Sequence, residues 1–436
     1  MPISVSTIFP FPWIIITLSA ALSFIITWLA IPRIVYTARI NNLFVQTNAR
    51  TSHKSQIPNL GGIAVFSGFV VSTILLGGSY FSFELKYIIC ALIIILFIGI
   101  KDDLTFSNPW KKLFGQILAI AITALLANIR INNFYGLFGI NEMSLIPSVV
   151  FTIFVFLVIT NGFNLIDGID GLASGIGIIT SSTFGLWFWS TGDYGYSILS
   201  ISLASALAAF FYFNVFSKTF KLFLGDTGSL VIGFVLGILA CRFLQSDIGE
   251  TGNTYIKSAP AIAFGILIIP LFDTLRVFTL RIWQGKSPFV ADRQHIHHRL
   301  LELGMSHIQA TLSLILVNLA FIILSFLLQG IGVLYLILAI LGTASLLSYM
   351  LSLISKKKEI VIASPEFSFE GTWKKYIITK STKKKPDEDK NTDTPAHNPP
   401  PVSVDLPEYI KDPEPQGTIE PPKKQVSTSQ KQIHAG

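Results

Sequence analysis

Four polar and charged clusters stand at the ends of long apolar segments: Lys101-Asp102-Asp103, NGFNLIDGIDGLASG from Asn161, FLGDTGS from Phe223 and ADRQHIHHRLLELG from Ala291. A carboxylate near the hydrocarbon costs roughly 2.5–3.5 kcal/mol on insertion scales, so such residues mark a working site. The adjacent carboxylates of Asp102 and Asp103 repel each other unless a cation or basic partner is near. They therefore suggest a metal, or a base beside one, although Asp also caps helices well. Asn161, Asn164, Asp167 and Asp170 recur at three-residue spacing. On one continuous helix the four would share a slanting face. Oxygen donors without Cys suit Mg²⁺, or Mn²⁺, rather than zinc.

The Gly225-Asp226-Thr227-Gly228-Ser229 stretch opens an apolar run. A helix N-terminus there presents free N–H groups to anionic oxygen, with Asp226 as a ligand for a divalent ion shared with a diphosphate; a simple Asp cap explains it equally. Phe223, three residues earlier, is placed to stack on a nucleobase. His295, His297 and His298 lie among Arg293 and Arg299 without an HExxH pattern, which favours phosphate contact over zinc. Asp273 and Arg276 read equally as a structural ion pair or a substrate contact. Pro270 is expected to kink the helix that carries them.

The elements that position these clusters are apolar helices. The 436-residue chain is 51% hydrophobic and 13% charged, against about 25% charge in soluble domains, with a mean hydropathy of +0.61. Repeated stretches near membrane length predict an all-α polytopic protein of about eleven spans, at about 11–31, 60–78, 87–100, 113–129, 147–162, 171–190, 197–214, 228–244, 259–280, 308–328 and 331–354. Loops rich in Lys and Arg alternate with poorer ones. Arg33, Arg39, Lys101, Lys111, Lys112, Lys218, Lys221, Arg281 and Arg299 fall on one side, which the positive-inside rule makes cytoplasmic. The N-terminus is then outside, and all four clusters share the cytoplasmic face of a cell membrane. No basic stripe lies on a soluble domain, which excludes nucleic acid as a partner. Cys90 and Cys241 sit in apolar spans and read as small buried hydrophobes. No basic residue precedes the first apolar run, so a signal peptide's n-region is missing and the run is expected to stay as an anchor. Residues 1–355 are expected to form the catalytic domain, 356–380 a short ordered or interfacial segment, and 381–436 a disordered tail.

Together these motifs resemble the polyprenyl-phosphate N-acetylhexosamine-1-phosphate transferase superfamily, in its branch of undecaprenyl-phosphate GlcNAc-1-phosphate transferases. The resemblance runs from about Arg50 to Gly304, and PLFDTLRVFTLRIWQGKSPFVADRQHIHHRLLELG from Pro270 is its most specific stretch. The loop RTSHKSQIPNLGG, which holds His53, fits this branch better than the HxxKxGTPTMGG-like loop of phospho-MurNAc-pentapeptide transferases. It carries Thr51 and Ser55 where Lys and Gly are expected. The resemblance implies Mg²⁺ held by Asp226 with Asn164 close by, and Asp102 as a base on the lipid phosphate. Asp103 is expected to orient that phosphate or support the metal. Asp167 and Asp170 are expected around the nucleotide, Phe223 on uracil, and His53, Arg293, His295, His297 and His298 on the substrate. Its expected partners are a UDP-sugar, undecaprenyl phosphate and membrane lipid, with a homodimer also in view. The rival within the class is another UDP-amino sugar. The rival outside it, an ion-coupled transporter, would place its carboxylates near the bilayer midplane rather than at span ends.

Overall fold

The computed structural model describes residues 11–41, 43, 57–105, 108–246, 256, 258–285 and 295–362, all in one compact unit. Among them the chain is helical without strands, apart from one antiparallel bridge between Asn133 and Glu142. The long helices are α1 (Pro12–Ile40), α2 (Gly61–Ser72, prolonged by a π turn and a 3₁₀ turn to Tyr80), α3 (Glu84–Leu104), α4 (Pro109–Leu125), α5 (Leu145–Ile166), α6 (Leu172–Ser190), α7 (Tyr194–Val215) and α8 (Gly225–Ser246). After them come α9 (Ala259–Ile266), α10 (Ile268–Trp283), the short α11 (Ile296–Glu302), α12 (His307–Leu327) and α13 (Val333–Ile362).

Nine of the described helices are long and apolar enough to cross a membrane, and the α9–α10 pair makes a tenth candidate. The protein is a multi-pass membrane protein. The eleventh expected span is α3, whose apolar middle, Tyr87 to Ile100, is hemmed by Glu84, Lys86, Lys101, Asp102 and Asp103. Fourteen helical residues reach only about 21 Å, short of a hydrocarbon core of about 30 Å.

Burial divides the bundle. The apolar window of α8 is 94% buried, that of α13 only 11%, so α8 is the central post and α13 lies at the outside of the bundle. Gly99 lets α3 approach that post closely: a Cβ there would lie 2.3 Å from Thr227 Cα. Cys241 is buried on α8 as expected, but Cys90 is exposed. It lies on the outward side of α3 with Ile93 and Phe97, facing the apolar medium a bilayer supplies.

The expected kink falls one turn before its cause. The chain bends by 83° between α9 and α10, at Leu267 rather than at Pro270. Proline lacks an N–H for the carbonyl four residues back and its ring crowds that carbonyl, which here belongs to Ile266. Asn318 Nδ2 on α12 donates to that Ile266 carbonyl at 3.3 Å, replacing the lost bond. The α12–α13 connection is a tight hairpin through Gln329–Ile331. The last helix runs on to Ile362, beyond the Lys356 boundary suggested by composition. The tail after it lies outside the described residues.

Candidate active site

The ends of α3, α4, α5 and α8 meet around a shared ammonium. Lys112, on the first turn of α4, lies with Nζ 2.7 Å from Asp102 Oδ2 and 2.7 Å from Asp226 Oδ2. Two carboxylate oxygens thus converge on one cationic point. In the sequence Lys112 stands out only as one of the basic residues that set the topology. Nothing in its local sequence says that a side chain ten positions after Asp102 returns to it.

Asp226 is braced from two more directions. Asn164 Nδ2 donates to Asp226 Oδ1 and to Ser229 Oγ, both at 2.9 Å. It is therefore the amide nitrogen of Asn164 that meets Asp226, so in this arrangement Asn164 orients that carboxylate. One turn back on the same face, Asn161 pairs with the buried Gln116 of α4.

Asp103 answers the question of the free N–H groups on α8. It accepts from Asp226 N (2.8 Å), Thr227 N (2.9 Å) and Thr227 Oγ1 (2.5 Å). The amides expected to meet a phosphate are filled by a carboxylate from another helix. This is an N-cap made across the bundle, and a capping residue contributes about 0.5–2 kcal/mol. Capping, the plainer explanation of the Asp pair, holds for Asp103, while Asp102 turns to Lys112.

The second cluster is not one helical face. Helix α5 stops at Ile166, so Asn161 and Asn164 share its face while Asp167 and Asp170 belong to the turn before α6. Burial, followed by the charges of Asp226, Asp103 and Asp170, holds the Asp167 carboxyl well above the ordinary carboxylate range. Asp170 pairs with Lys221 at 2.7 Å and has His307 Nδ1 at 3.4 Å. Lys221 Nζ also stands 6.0 Å from the Phe223 ring centroid. Phe223 is 38% exposed, while its backbone is pinned by Pro58 and Gly61.

The histidine stretch reaches the same turn. His297 is buried against Gly168, where an added Cβ would lie 2.3 Å from Nε2; only glycine fits there. Neither His297 ring nitrogen has a hydrogen-bond partner among the described residues. Its ring lies 4.3 Å from that of His298 and 5.7 Å from that of His295, the latter nearly parallel at 11°. Burial and the nearby His298 push the His297 imidazole down to about 4. His295 is tied to Asp273 of α10, with Nδ1 at 2.9 Å from Oδ2. His53 and Arg293 lie outside the described residues.

The donor set has the chemistry of a hard-cation site. Among the described residues no three His, Cys, Asp or Glu side chains gather around one point. Mg²⁺, however, is commonly held by one or two carboxylates, with phosphate oxygens and water completing its shell. The point between Asp102 and Asp226 offers two such carboxylates, but in this structure the Lys112 ammonium takes it, and a divalent ion there would have to displace Lys112.

Residues 85–244 match the model of glycosyl transferase family 4. Three relatives show how far the similarity extends. An undecaprenyl-phosphate alpha-N-acetylglucosaminyl 1-phosphate transferase of Escherichia coli O157:H7 is 32% identical over 291 residues, 66% of this chain and 75% of the relative. The protein of the same name in Salmonella typhi is 30% identical over 289 residues, 66% and 74% of the two chains. A probable undecaprenyl-phosphate N-acetylglucosaminyl 1-phosphate transferase of Bacillus subtilis (strain 168) is 30% identical over 287 residues, 65% and 77%. With identity at this level across three quarters of the relatives' length, the chain belongs to glycosyl transferase family 4.

Proposed function

We propose that this enzyme transfers GlcNAc-1-phosphate from UDP-GlcNAc to undecaprenyl phosphate, giving undecaprenyl-diphospho-GlcNAc and UMP at the cytoplasmic face of the membrane. The observation that carries the proposal is the cationic point shared by Asp102 and Asp226, at the meeting of helix ends in a membrane bundle. Both reactants are anions, so the barrier is first one of charge. Lys112 places a positive charge beside both carboxylates and is within reach of an arriving phosphate oxygen. Asp226 would hold Mg²⁺ once Lys112 turns from it to the incoming phosphate, and the ion when bound supplies charge neutralisation for a diphosphate. Asp102 keeps the attacking lipid phosphate ionised. Asn164 and Asp103 fix Asp226, one by its side chain and the other by its backbone. Phe223 offers a ring to the uracil, and Lys221 beside it a charge for the nucleotide. His297 and its neighbours close the turn of Asp167 and Asp170 around the sugar diphosphate.

The GlcNAc assignment rests on the relatives' names, and the lipid acceptor on those names together with the apolar helices. Purified protein with Mg²⁺, undecaprenyl phosphate and a panel of UDP-sugars tests it. UMP release with UDP-GlcNAc above all other sugars is expected. Release only with a different amino sugar would overturn the donor assignment.

A further inference from the structure

Asp273 is nearly fully buried at 2% exposure on α10, nearly two turns past the 83° bend. Three donors converge on it. Arg276 Nη1 lies 3.1 Å and the Ile296 backbone N 3.0 Å from Oδ1, while His295 Nδ1 lies 2.9 Å from Oδ2. The Ile296 contact also places this carboxylate at the first residue of α11, the helix that carries His297 and His298. A carboxylate next to a guanidinium offers only acceptor oxygens, so the His295 nitrogen facing it must carry the proton. A hydrogen bond at one imidazole nitrogen decides the role of the other.

We propose that Asp273 is a positioning residue, holding His295 as the Nδ1–H tautomer so that Nε2 is the nitrogen presented to substrate, and fixing the α11 start so that His297 seats against Gly168. The role in substrate handling rests on the transferase reading above; the tautomer does not. Contact runs from α10 to the site: Asp273 to His295, the parallel His295 and His297 rings, then His297 to the turn between Asp167 and Asp170. The bend itself is held by Pro270 and by Asn318.

Asp273→Asn gives a sharp test, because the backbone N–H of Ile296 still requires an oxygen. With Oδ1 kept there, the amide nitrogen must face His295 Nδ1, and the imidazole proton must move to Nε2. Nitrogen-15 NMR of histidine-labelled protein in detergent, at about pH 8, reads this directly, the His295 signal being identified by its loss in His295→Gln. Protonated Nδ1 in the wild type and protonated Nε2 in Asp273→Asn are expected. A wild-type His295 with its proton on Nε2 overturns the inference even if the variant fails to fold, and so does an unchanged tautomer in a folded variant.

Turnover supplies the second arm. Asp273→Asn should lower kcat/KM for the UDP-sugar by about tenfold or more and leave KM for the prenyl phosphate unchanged. Combined with His295→Ala, it should cost nothing beyond His295→Ala alone. Losses that multiply in the double variant would show that Asp273 acts independently of His295 and would overturn the proposed role. If the tautomers behave as stated but the wild type releases no UMP from any UDP-sugar, the transferase reading fails and the Asp273–His295 anchor stands.

Discussion

Asp103 holds Asp226 by the backbone rather than by the side chain: its carboxylate accepts the Asp226 N–H at 2.8 Å and the Thr227 N–H at 2.9 Å. The two adjacent aspartates of α3 thereby take different work. One caps the helix that carries Asp226, and the other shares the Lys112 ammonium with it. A pair that looks redundant in sequence is divided by the direction in which each side chain leaves the helix.

That division predicts separable phenotypes. Asp103→Ala should destabilise the protein by about 1–2 kcal/mol, the usual loss for a cap, and turnover should fall with it because Asp226 loses its mooring. Asp102→Asn should lower turnover more than nucleotide binding. Thermal unfolding in detergent and UMP release, measured side by side, distinguish the two. A stability loss confined to Asp102→Asn would reverse the assignment.

Lys112 should be as indispensable as the carboxylates it joins. Without the ammonium the two carboxylates face each other and an incoming phosphate uncompensated, and loss of one such charge stabiliser typically costs about 10²–10³ in kcat, so Lys112→Met should lose at least about a hundredfold in turnover at saturating Mg²⁺. Lys112→Arg should fall between, since the guanidinium fork cannot place a single charge 2.7 Å from both oxygens. Steady-state rates for the two variants check this. Near-normal turnover in Lys112→Met would remove Lys112 from the chemistry.

The half-exposed ring of Phe223 should act on binding alone. Base–aromatic stacking is worth about 1–3 kcal/mol, so Phe223→Ala should raise KM for the UDP-sugar by roughly tenfold or more with kcat little changed. A kcat loss at constant KM would contradict stacking on the nucleobase.

Acid stability should report His297. Its imidazole titrates at about 4 when folded and at about 6.5 when unfolded, so the unfolded chain takes up the proton first. Its contribution to stability is complete above about pH 6.5. As pH falls toward 4 the fold loses roughly 3 kcal/mol through this group. In His297→Gln the fall of unfolding temperature across that window should be shallower. An unchanged slope would show that the buried imidazole is not its source.

Much of this arrangement was legible in the sequence, for physical reasons. Apolar runs near membrane length give a strong signal, and the four clusters were set apart by carboxylates and imidazoles at span ends. Five features were not legible. The turn at Asp167 hides in a run whose three-residue spacing imitates a helix face. The bend at Leu267 depends on which carbonyl Pro270 starves, and on Asn318 from a distant helix to rescue it. The capping by Asp103 and the bridging by Lys112 are contacts between helices, and one chain's local pattern carries no trace of which helix ends meet. The outward face of Cys90 was missed because burial in lipid and burial in protein read alike in hydropathy.

The central claim is that phosphorus travels with the sugar. UDP-GlcNAc labelled with ³²P at the β-phosphate, incubated with the protein, Mg²⁺ and undecaprenyl phosphate, tests it most directly. The account predicts label in the lipid phase with stoichiometric UMP, and near-complete loss of both in Asp226→Asn. Label retained in UDP while sugar alone reaches the lipid, or full transfer by Asp226→Asn, would contradict it.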